Sequence, residues 1–346
     1  MSDSMEEMTP ERWRQIEELF YAALNCQPHL RSEFLARSCC GDQRLREMVE
    51  SLLVLSEEAS DFIEAPAVAT VFGELSPTTG LDDRLGLATS STTLRFQRLL
   101  ALGAGVNGTV YKVLDREDGN IVALKHLSHT QAGKRESFVA QFSTLAEIHH
   151  ANLIQLYDLF VDSQDCYFTM PLVAGSDLIS YLHNSGIAQL RTLLKQLAQA
   201  LIALHSNGWL HSNIKPTNLL VDAHGHLIIT DCGLNPEIIP APFYQRSGYD
   251  ETIAYISPEL CAGKKASAAS DWYSVGAILY QILTGNRPFT GSTWEIIMNK
   301  RRFILPPPSL LRPDIDTELD RLCHSLLNPD PTLRMDESEI KKILVA

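Results

Sequence analysis

The spacing of apolar residues changes along the chain and divides the sequence into three parts. Between residues 9 and 64 apolar residues recur at helical intervals, starting with Trp13. Residues 65–93 are rich in Ser, Thr, Gly and Pro, a composition typical of linkers. The pattern therefore predicts a helical N-terminal region at 9–64, a linker at 65–93 and a folded domain at 94–344.

The N-terminal region is small for an independent domain, because roughly 55 residues bury little apolar surface. Two interpretations follow from its amphipathic helices. It is either an interaction module or a helical extension packed on the domain that follows. The sequence alone leaves both open.

The domain at 94–344 has a β-rich half followed by a helical half. Short runs rich in Val, Ile, Leu, Tyr and Phe predict strands: FQRLLALG, GTVYKVLD, NIVALKHL, LIQLYDLF (153–160) and CYFTMPL. One helix is predicted among them, over 138–149. After residue 175 the longest periodic segments, at 190–205 and 270–285, predict helices. The fold class expected is α+β.

Composition and charge narrow the class of protein. Of the 346 residues, 45% are hydrophobic and 21% charged, as in ordinary globular proteins. The net charge of −13 argues against nucleic acid and anionic lipid as partners. Seven cysteines without a C-x-x-C pair indicate a reducing, cytoplasmic location. No apolar run approaches the roughly 20 residues that cross a bilayer, so no membrane span is expected in this chain. Whether the chain is a fragment of a longer protein is a question that the sequence leaves open.

The first candidate for chemistry is a glycine-rich loop. Gly103, Gly105 and Gly108 form G-x-G-x-x-G, in which missing side chains let backbone N–H groups approach phosphates. A strand follows the glycines, whereas a dinucleotide-binding fold needs a helix there. Lys125 closes the apolar strand VALK, and its ammonium group is suited to phosphate oxygens.

Further motifs follow in the second half. His211–Asn218 reads H-S-N-I-K-P-T-N, and Asp231 begins D-C-G. Asn218 and Asp231 offer the hard oxygen atoms that Mg²⁺ prefers. Later come Ser257-Pro258-Glu259 and D-W-Y-S-V-G, which starts at Asp271.

Taken in order, these motifs resemble those of a eukaryotic-type protein Ser/Thr kinase domain over about 94–344. The short activation segment and the helical region before the linker are similar to those of bacterial members. The resemblance implies a two-lobed kinase fold, with a β-rich N-lobe containing one helix, a helical C-lobe, and ATP with Mg²⁺ in the cleft between them. It also implies a protein partner or protein substrate, whose identity the sequence does not give.

The resemblance assigns roles to individual residues. Gly103, Gly105 and Gly108 would cover the phosphates, Lys125 would contact them, and Lys215 would neutralise the γ-phosphate during transfer. Asn218 and Asp231 would hold Mg²⁺. The residues expected around the adenine share apolar character; they are Val110, Ala123, Leu220, the gatekeeper Met170, and Pro171, Leu172 and Val173 of the hinge. By the same resemblance, Thr252 shapes the substrate platform, Glu259 pairs with Arg334, and Asp271 braces the catalytic loop.

Four positions depart from the family pattern. The catalytic aspartate of H-R-D is Asn213, a poor proton acceptor, and the preceding arginine is Ser212. Alignment of the N-lobe helix places Gln141 where the glutamate partner of the lysine belongs. Cys232 replaces the phenylalanine of D-F-G; it is interpreted as either a buried filler or a redox-sensitive thiol.

Three functions remain open on this evidence. The first is an ATP-binding pseudokinase that acts as a scaffold or allosteric signalling partner, because Asn213 and Gln141 replace two acids. The second is a slow but active Ser/Thr kinase, since phosphoryl transfer depends mostly on positioning and electrostatics. The third, a small-molecule phosphotransferase, is disfavoured by Ser257-Pro258-Glu259 and the D-W-Y-S-V-G motif, which build a protein-substrate platform in the family.

Overall fold

The fold was analysed in a computed structural model. It describes residues 95–105, 108–127, 132–161, 165–232, 234, 250–291, 293–302 and 305–345, with parts of 15–50. The predicted linker at 65–93 and the predicted helix around Trp13 lie outside the described residues. The chain divides into two compact units, Met1–Leu81 and Asp82–Ala346, and each is described separately.

The first unit contains helix α1 (Arg31–Ser38). Leu35 of this helix is buried, as are Ala23, Leu45 and Val49 of the same unit. The side chain of Asp42 accepts a hydrogen bond from the backbone N–H of Leu45, at 2.9 Å, which is the arrangement of a helix N-cap. Four apolar positions of this unit are therefore withdrawn from solvent.

The second unit begins with a five-stranded antiparallel sheet. Its strands are β1 (Phe96–Gly105), β2 (Gly108–Asp115), β3 (Ile121–Leu127), β4 (Leu159–Val161) and β5 (Cys166–Pro171), in the order β1-β2-β3-β5-β4. The turn between β2 and β3 depends on Gly119, whose φ of 75° suits a residue without Cβ. The three strands predicted first are confirmed, and so is β5.

The predicted strand over 153–160 is wrong except at its end, where β4 forms. Leu153, Ile154 and Leu156 are buried, which explains their apolar character. Their backbone, however, does not join the sheet as a strand: the N–H of Ile154 donates to the carbonyl of Ile229 in the C-terminal half, at 2.9 Å. A segment buried between two lobes and a buried strand have the same apolar pattern.

One helix, α2 (Ala132–Ala146), packs on the sheet. It starts six residues before the predicted position, because the early turns carry polar residues that give no apolar period. Phe138, Phe142 and Leu145 are buried on one face, at the spacing of an amphipathic helix. The Phe142 ring lies 5.6 Å from that of Phe168 on β5. This contact packs the helix against β5, which is the neighbour in the sheet of β3, the strand that contains Lys125.

The second half is mainly helical. Its helices are α3 (Leu178–Ser185), α4 (Leu190–Ser206), α5 (Asp250–Ile253), α6 (Pro258–Cys261), α7 (Ala268–Thr284), α8 (Thr293–Arg302), α9 (Thr317–Leu326) and α10 (Glu337–Leu344). The two long helices match the predictions at 190–205 and 270–285, and most of their apolar residues are buried. A small sheet of β6 (Gly175–Asp177), β7 (Leu219–Asp222) and β8 (Leu227–Ile229) lies in this half.

The predicted α+β, two-lobed architecture is thus confirmed. Among the described residues, the N-lobe contains a five-stranded sheet and one helix, and the C-lobe is helical with a three-stranded sheet. Among the helices that the structure describes, none is both long enough and apolar enough to cross a membrane.

Candidate functional site

A large cleft of about 960 Å³ opens between the N-lobe sheet and the C-lobe. It brings together nearly all the residues that the sequence proposed: Gly103, Gly108, Val110, Ala123, Lys125, Met170, Val173, Asn213, Lys215, Asn218, Leu220 and Asp231 all line it. Gly105, at the end of β1, is the one proposed residue outside the described lining. The sequence positions thus converge from both lobes on one cavity.

The glycine-rich segment covers one side of the cleft as the β1–β2 hairpin. Gly103 pairs with Val110 and Gly105 with Gly108. A Cβ on Gly103 would meet nothing within 4 Å, whereas one on Gly108 would lie 1.9 Å from the backbone oxygen of His126. Gly108 also has a φ of 115°. Only glycine therefore lets this hairpin pack against β3, while the space beside Gly103 remains open.

Apolar residues line the cleft next to the hairpin. Ala123 on β3 is directly opposite Met170 on β5 in the sheet register. Both are buried, at 3% and 6% exposure. Val110 comes from β2, and Leu220 comes from β7 in the other lobe. Apolar surfaces from both lobes suit a flat heteroaromatic ring between them.

Lys125 is the buried cation of the cleft, with 5% of its surface exposed. Its Nζ atom lies 2.6 Å from Oδ1 of Asp231, which is the only carboxylate within 4 Å of it among the described residues. Gln141 on α2 does not contact the lysine, and its Nε2 atom donates to Ser137 Oγ at 3.3 Å. The partner of Lys125 is therefore the aspartate of the opposite lobe and not a residue of the helix.

The loop from His211 to Asn218 is held in shape by Asp271 of α7. The backbone N–H groups of His211 and Ser212 each donate to one Asp271 carboxylate oxygen, at 2.8 Å. Ser212 has a φ of 59°, an unfavourable left-handed conformation for a residue with Cβ. Asp271 is 2% exposed. Its two hydrogen bonds to the backbone therefore hold the loop in this conformation from inside the lobe, which is the bracing role that the resemblance implied.

The ring of His211 is fully buried and neutral. Its Nδ1 atom accepts the backbone N–H of Asn213, at 3.2 Å, which leaves the proton on Nε2 to be donated to the Thr230 carbonyl at 2.9 Å. Burial lowers the pKa of His211. This tautomer links the loop to the strand end just before Asp231.

Asn213 contributes only backbone groups to these contacts. Its N–H donates to His211, and its carbonyl accepts Nδ2 of Asn218 at 2.8 Å. Within the described chain, no carboxylate forms a hydrogen bond with the Asn213 side chain. The amide therefore faces the cleft with no neighbouring acid to take over a proton-accepting role.

The oxygen donors needed for a divalent cation are present but few. Asn218 uses its Nδ2 on Asn213, so its Oδ1 remains available to a cation, and Asp231 has a second carboxylate oxygen besides the one paired with Lys125. No group of three or more His, Cys, Asp or Glu residues suited to a metal ion occurs in the part of the chain described. The two residues fit Mg²⁺ only if phosphate oxygens and water supply its other ligands.

Cys232 is a structural residue beside this site. Its Sγ atom is 3.9 Å from the carbonyl of Ile229, and a small cavity next to it is lined mostly by apolar residues of both lobes. Burial raises the pKa of the Cys232 thiol far above its usual range. Since thiolates are the reactive form, this favours the filler interpretation over the redox-sensitive one.

His205 bridges two carboxylates below the loop, a role that the sequence did not reveal. Its Nε2 atom lies 2.9 Å from Oδ2 of Asp271, and its Nδ1 atom contacts Glu337 of α10. Burial opposes the charged form, but the hydrogen bonds to the two acids outweigh it and raise the pKa of His205. His205 belongs to no recognisable sequence motif, and it comes close to Asp271 only in the folded structure.

The raised pKa predicts a pH-dependent contribution to stability. A histidine whose folded pKa is raised stabilises fully below its unfolded value of about 6.5, and this stabilisation is lost as pH rises through the folded pKa. We therefore expect His205→Gln to destabilise the protein most near pH 6 and least near pH 9. Urea unfolding of the wild type and the variant across this range measures the difference between their free energies of unfolding. The opposite pH effect of His211 is present in both proteins and therefore cancels from this difference. A difference that stays constant or grows with pH would contradict the bridge.

Lys300 on α8 is a second residue that the sequence did not reveal. It is 1% exposed, and its Nζ atom donates to the carbonyls of Ile253 and Ile256 at 2.6 and 2.5 Å. Burial lowers the pKa of Lys300 to about 8. Because Thr252 and Ile256 line the cleft, this lysine fixes the wall expected to act as the substrate platform.

Comparisons with known proteins agree with this architecture. A family model described as "Protein kinase domain" matches residues 96–344. The serine/threonine-protein kinase PknA of Mycobacterium tuberculosis is 32% identical over 265 residues, covering 73% of this chain and 60% of the relative. The kinase AtPK2/AtPK19 of Arabidopsis thaliana is 30% identical over 258 residues, covering 71% and 54%. The chain thus spans between 54% and 60% of the length of these relatives.

A solved structure is also similar. The crystal structure of Rad53 1–466 in complex with AMP-PNP aligns with a TM-score of 0.61 and 27% sequence identity. The alignment covers 72% of this chain and 64% of the Rad53 chain.

Proposed function

Because the chain belongs to the protein kinase family, with serine/threonine kinases among its relatives, we propose that its domain at 94–344 is an ATP-binding pseudokinase. In this proposal the domain holds a nucleotide between the lobes and transfers its γ-phosphate poorly or not at all. Its output is then a conformation that a protein partner recognises, so it acts as a scaffold or allosteric signalling partner in the cytoplasm. The helical region at 9–64 and the linker at 65–93 precede this domain.

The observation that carries the proposal is the neutral amide of Asn213. In the family this position holds the aspartate that accepts or steers the substrate hydroxyl proton, and an amide is a poor proton acceptor. Proton transfer by a positioned base contributes about 10²–10⁴ in rate. Among the described residues, no carboxylate bonded to the Asn213 side chain replaces it.

The proposed nucleotide site rests on groups that the chain retains. The apolar surfaces of Val110, Ala123 and Leu220 suit adenine. Met170 is at the gatekeeper position, and Val173 belongs to the hinge. Lys125 and Lys215 supply positive charge for the phosphates, and Asn218 and Asp231 supply oxygen ligands for Mg²⁺. When bound, the metal would neutralise phosphate charge. The solved structure of a similar kinase with AMP-PNP supports a nucleotide as the ligand.

A thermal-shift titration tests the binding half of this proposal. We expect ATP to raise the melting temperature in a saturable manner, since a ligand of the native state stabilises it by RT ln(1 + [L]/Kd). Lys125→Met should weaken the shift, because it removes the buried ammonium group. The matched control is Lys112→Met on the neighbouring strand, which removes a lysine outside the described cleft lining. A wild-type protein that does not shift at millimolar ATP would contradict the proposed site.

A slow but active Ser/Thr kinase is the second candidate. The direct contact of Lys125 with Asp231, at 2.6 Å in the cleft, favours it, because phosphoryl transfer depends largely on the positioning of such groups. It predicts Lys125-dependent autophosphorylation, with Ser247 and Thr252 as the candidate acceptors. A mass spectrum free of phosphate after long incubation with ATP and Mg²⁺ would count against it.

A further inference from the structure

A chain of side-chain contacts joins the last described helix to the cleft. It runs from Glu337, in the first turn of α10, through His205 on α4 to Asp271 on α7. Asp271 in turn accepts two backbone N–H groups of the loop at 211–218, which is called the site loop below and lines the cleft. Three side chains thus connect α10 to the candidate site.

The ring of His205 needs a proton on each nitrogen to make both of its contacts. Its Nε2 atom lies 2.9 Å from Oδ2 of Asp271, and its Nδ1 atom contacts Oε1 of Glu337. An ionised carboxylate only accepts hydrogen bonds, and only the imidazolium form donates from both nitrogens. Glu337 therefore favours the charged ring, and with it the charge-assisted hydrogen bond to Asp271, which is stronger than a neutral one.

Trp272 fixes the carboxylate of Glu337. Its Nε1 atom donates to Oε1 of Glu337 at 3.1 Å, and Trp272 is 1% exposed. Trp272 follows Asp271 on α7, and its ring lies edge-on to that of His205, with the centroids 6.3 Å apart. The contacts from Asp271 through His205 and Glu337 to Trp272 therefore return to the helix on which they began.

The position of Glu337 is not explained by its place at a helix start alone. Acids are common in the first turn of a helix, where they complement the helix dipole. Glu339 has this ordinary role: it is exposed, and its Oε2 atom accepts the backbone N–H of Asp336 at 3.2 Å. The side chain of Glu337 is only 33% exposed and is directed inward at His205.

The hydrogen bonds of Asp271 explain why this network matters to the site loop. Its Oδ2 atom accepts both His205 and the N–H of His211, while its Oδ1 atom accepts the N–H of Ser212. A rotation of the carboxylate away from His205 would weaken both backbone bonds. Ser212 has a φ of 59°, which is unfavourable for a residue with Cβ, so its conformation depends on these bonds.

The titratable groups that face His205 come from three elements. Among the described residues they are Asp271 on α7, Glu337 on α10 and His211 of the site loop. Burial lowers the pKa of His211, which keeps that ring neutral. The two acids raise the pKa of His205 against the effect of its burial, in agreement with the two contacts that the ring makes.

We propose that Glu337 is a positioning residue of the cleft, which holds the site loop through His205 and Asp271. The hold is present while the His205 ring carries both protons. Its effect on a nucleotide rests on the proposed function, because the site loop carries residues assigned to the phosphates and Mg²⁺. Coupling between two sites is reciprocal, so a nucleotide on the site loop also strengthens the attachment of α10.

Hydrogen exchange of the full chain without nucleotide tests the hold directly. Glu337→Gln keeps an oxygen that can accept from Trp272 but removes the charge that favours the protonated ring. At pH 7 we expect the amides of His211 and Ser212 to exchange at least about fivefold faster than in the wild type, because local opening sets their rates.

The matched control is Glu339→Gln, which removes an acid from the same turn of α10. Glutamine also serves at this position of a capping box, so wild-type exchange is expected. The amide of Leu279, in the buried part of α7, reports global unfolding. If the site loop exchanges equally fast in both variants, or if Leu279 accelerates as much as the loop does in Glu337→Gln, the proposal is overturned.

The pH dependence of ATP binding distinguishes positioning from a merely structural role. At pH 7 isothermal titration should show ATP binding about fivefold weaker in Glu337→Gln than in Glu339→Gln, at the lower end of typical coupling between sites. At pH 9.5 the ratio should fall to one or below, because a neutral ring accepts from a glutamine amide but not from a carboxylate. Changes in the charge of ATP are common to both proteins and cancel from the ratio.

The outcomes separate this proposal from the nucleotide site itself. A ratio that is the same at both pH values would overturn the role of the protonated ring. Absence of ATP binding in the wild type and in both variants would overturn the proposed nucleotide site, while the exchange rates would still decide whether Glu337 holds the site loop.

A double variant tests whether Glu337 acts through His205. In the His205→Gln background, Glu337→Gln should accelerate exchange of the site loop by less than twofold, because residues that act in series are not additive. A further fivefold acceleration in His205→Gln/Glu337→Gln would show that Glu337 acts by another route, and would overturn the proposal.

Discussion

Asn213→Asp is expected to raise the rate of γ-phosphate transfer by about 10² or more, within the range of a general base. The reason is local: the loop that presents residue 213 is already held by Asp271 and by the neutral ring of His211. The new carboxylate would therefore stand on a formed scaffold beside Lys215 and Asn218. Transfer is measured as labelled phosphate incorporated into the protein or a generic Ser/Thr substrate, at saturating ATP and Mg²⁺.

Two controls separate this gain from artefacts. Asn213→Ala should give no gain, because it removes the amide without supplying an acid. Asn213→Asp/Lys125→Met should return to background, because a genuine gain needs the buried lysine. If Asn213→Asp transfers phosphate no faster than Asn213→Ala, the missing acid is not what limits this domain.

The largest expected loss of stability comes from the buried ion pair of the C-lobe. Glu259 and Arg334 make two hydrogen bonds of 2.7 Å, with side-chain exposures of 6% and 0%. Burial would raise the pKa of Glu259, but the guanidinium group lowers it below its usual value. Arg334→Met leaves this carboxylate buried without a counter-charge, which costs about 3–5 kcal/mol in comparable cases. Urea unfolding measures the loss.

The double variant Glu259→Leu/Arg334→Met is the matched comparison. It removes both charges together, and replacement of a buried ion pair by apolar residues is often nearly neutral. We expect it to be more stable than Arg334→Met alone. A double variant as unstable as the single one would mean that Arg334 acts through its bonds to the carbonyls of Asn328 and Ala269, and not through charge.

The two-lobed fold and the lining of the cleft followed from the order of short motifs along the sequence. Each of these motifs is local: the glycines of the β1–β2 hairpin, the lysine that closes β3, and the loop around Asn213 are short sequences with a defined chemistry. Asp271 and the Glu259–Arg334 pair were reached through the same family resemblance. The structure adds the distances that join them.

What the sequence did not reveal depends on tertiary contacts. His205 and Lys300 lie in ordinary helical segments, and their partners are far away in sequence: Asp271 and Glu337 for the histidine, two backbone carbonyls for the lysine. The pairing of Lys125 with Asp231 also spans the cleft between lobes. The wrong strand at 153–160 has the same origin, because burial between lobes produces apolar residues without a sheet.

Single-turnover phosphoryl transfer by the wild-type protein, set beside Lys125→Met, tests the central claim most directly. Both proteins are incubated for hours with labelled ATP and Mg²⁺ after their nucleotide binding has been measured on the same preparation. The account predicts that the wild type binds ATP yet incorporates no more phosphate than Lys125→Met. Incorporation by the wild type that Lys125→Met abolishes would contradict it and identify the domain as an active kinase.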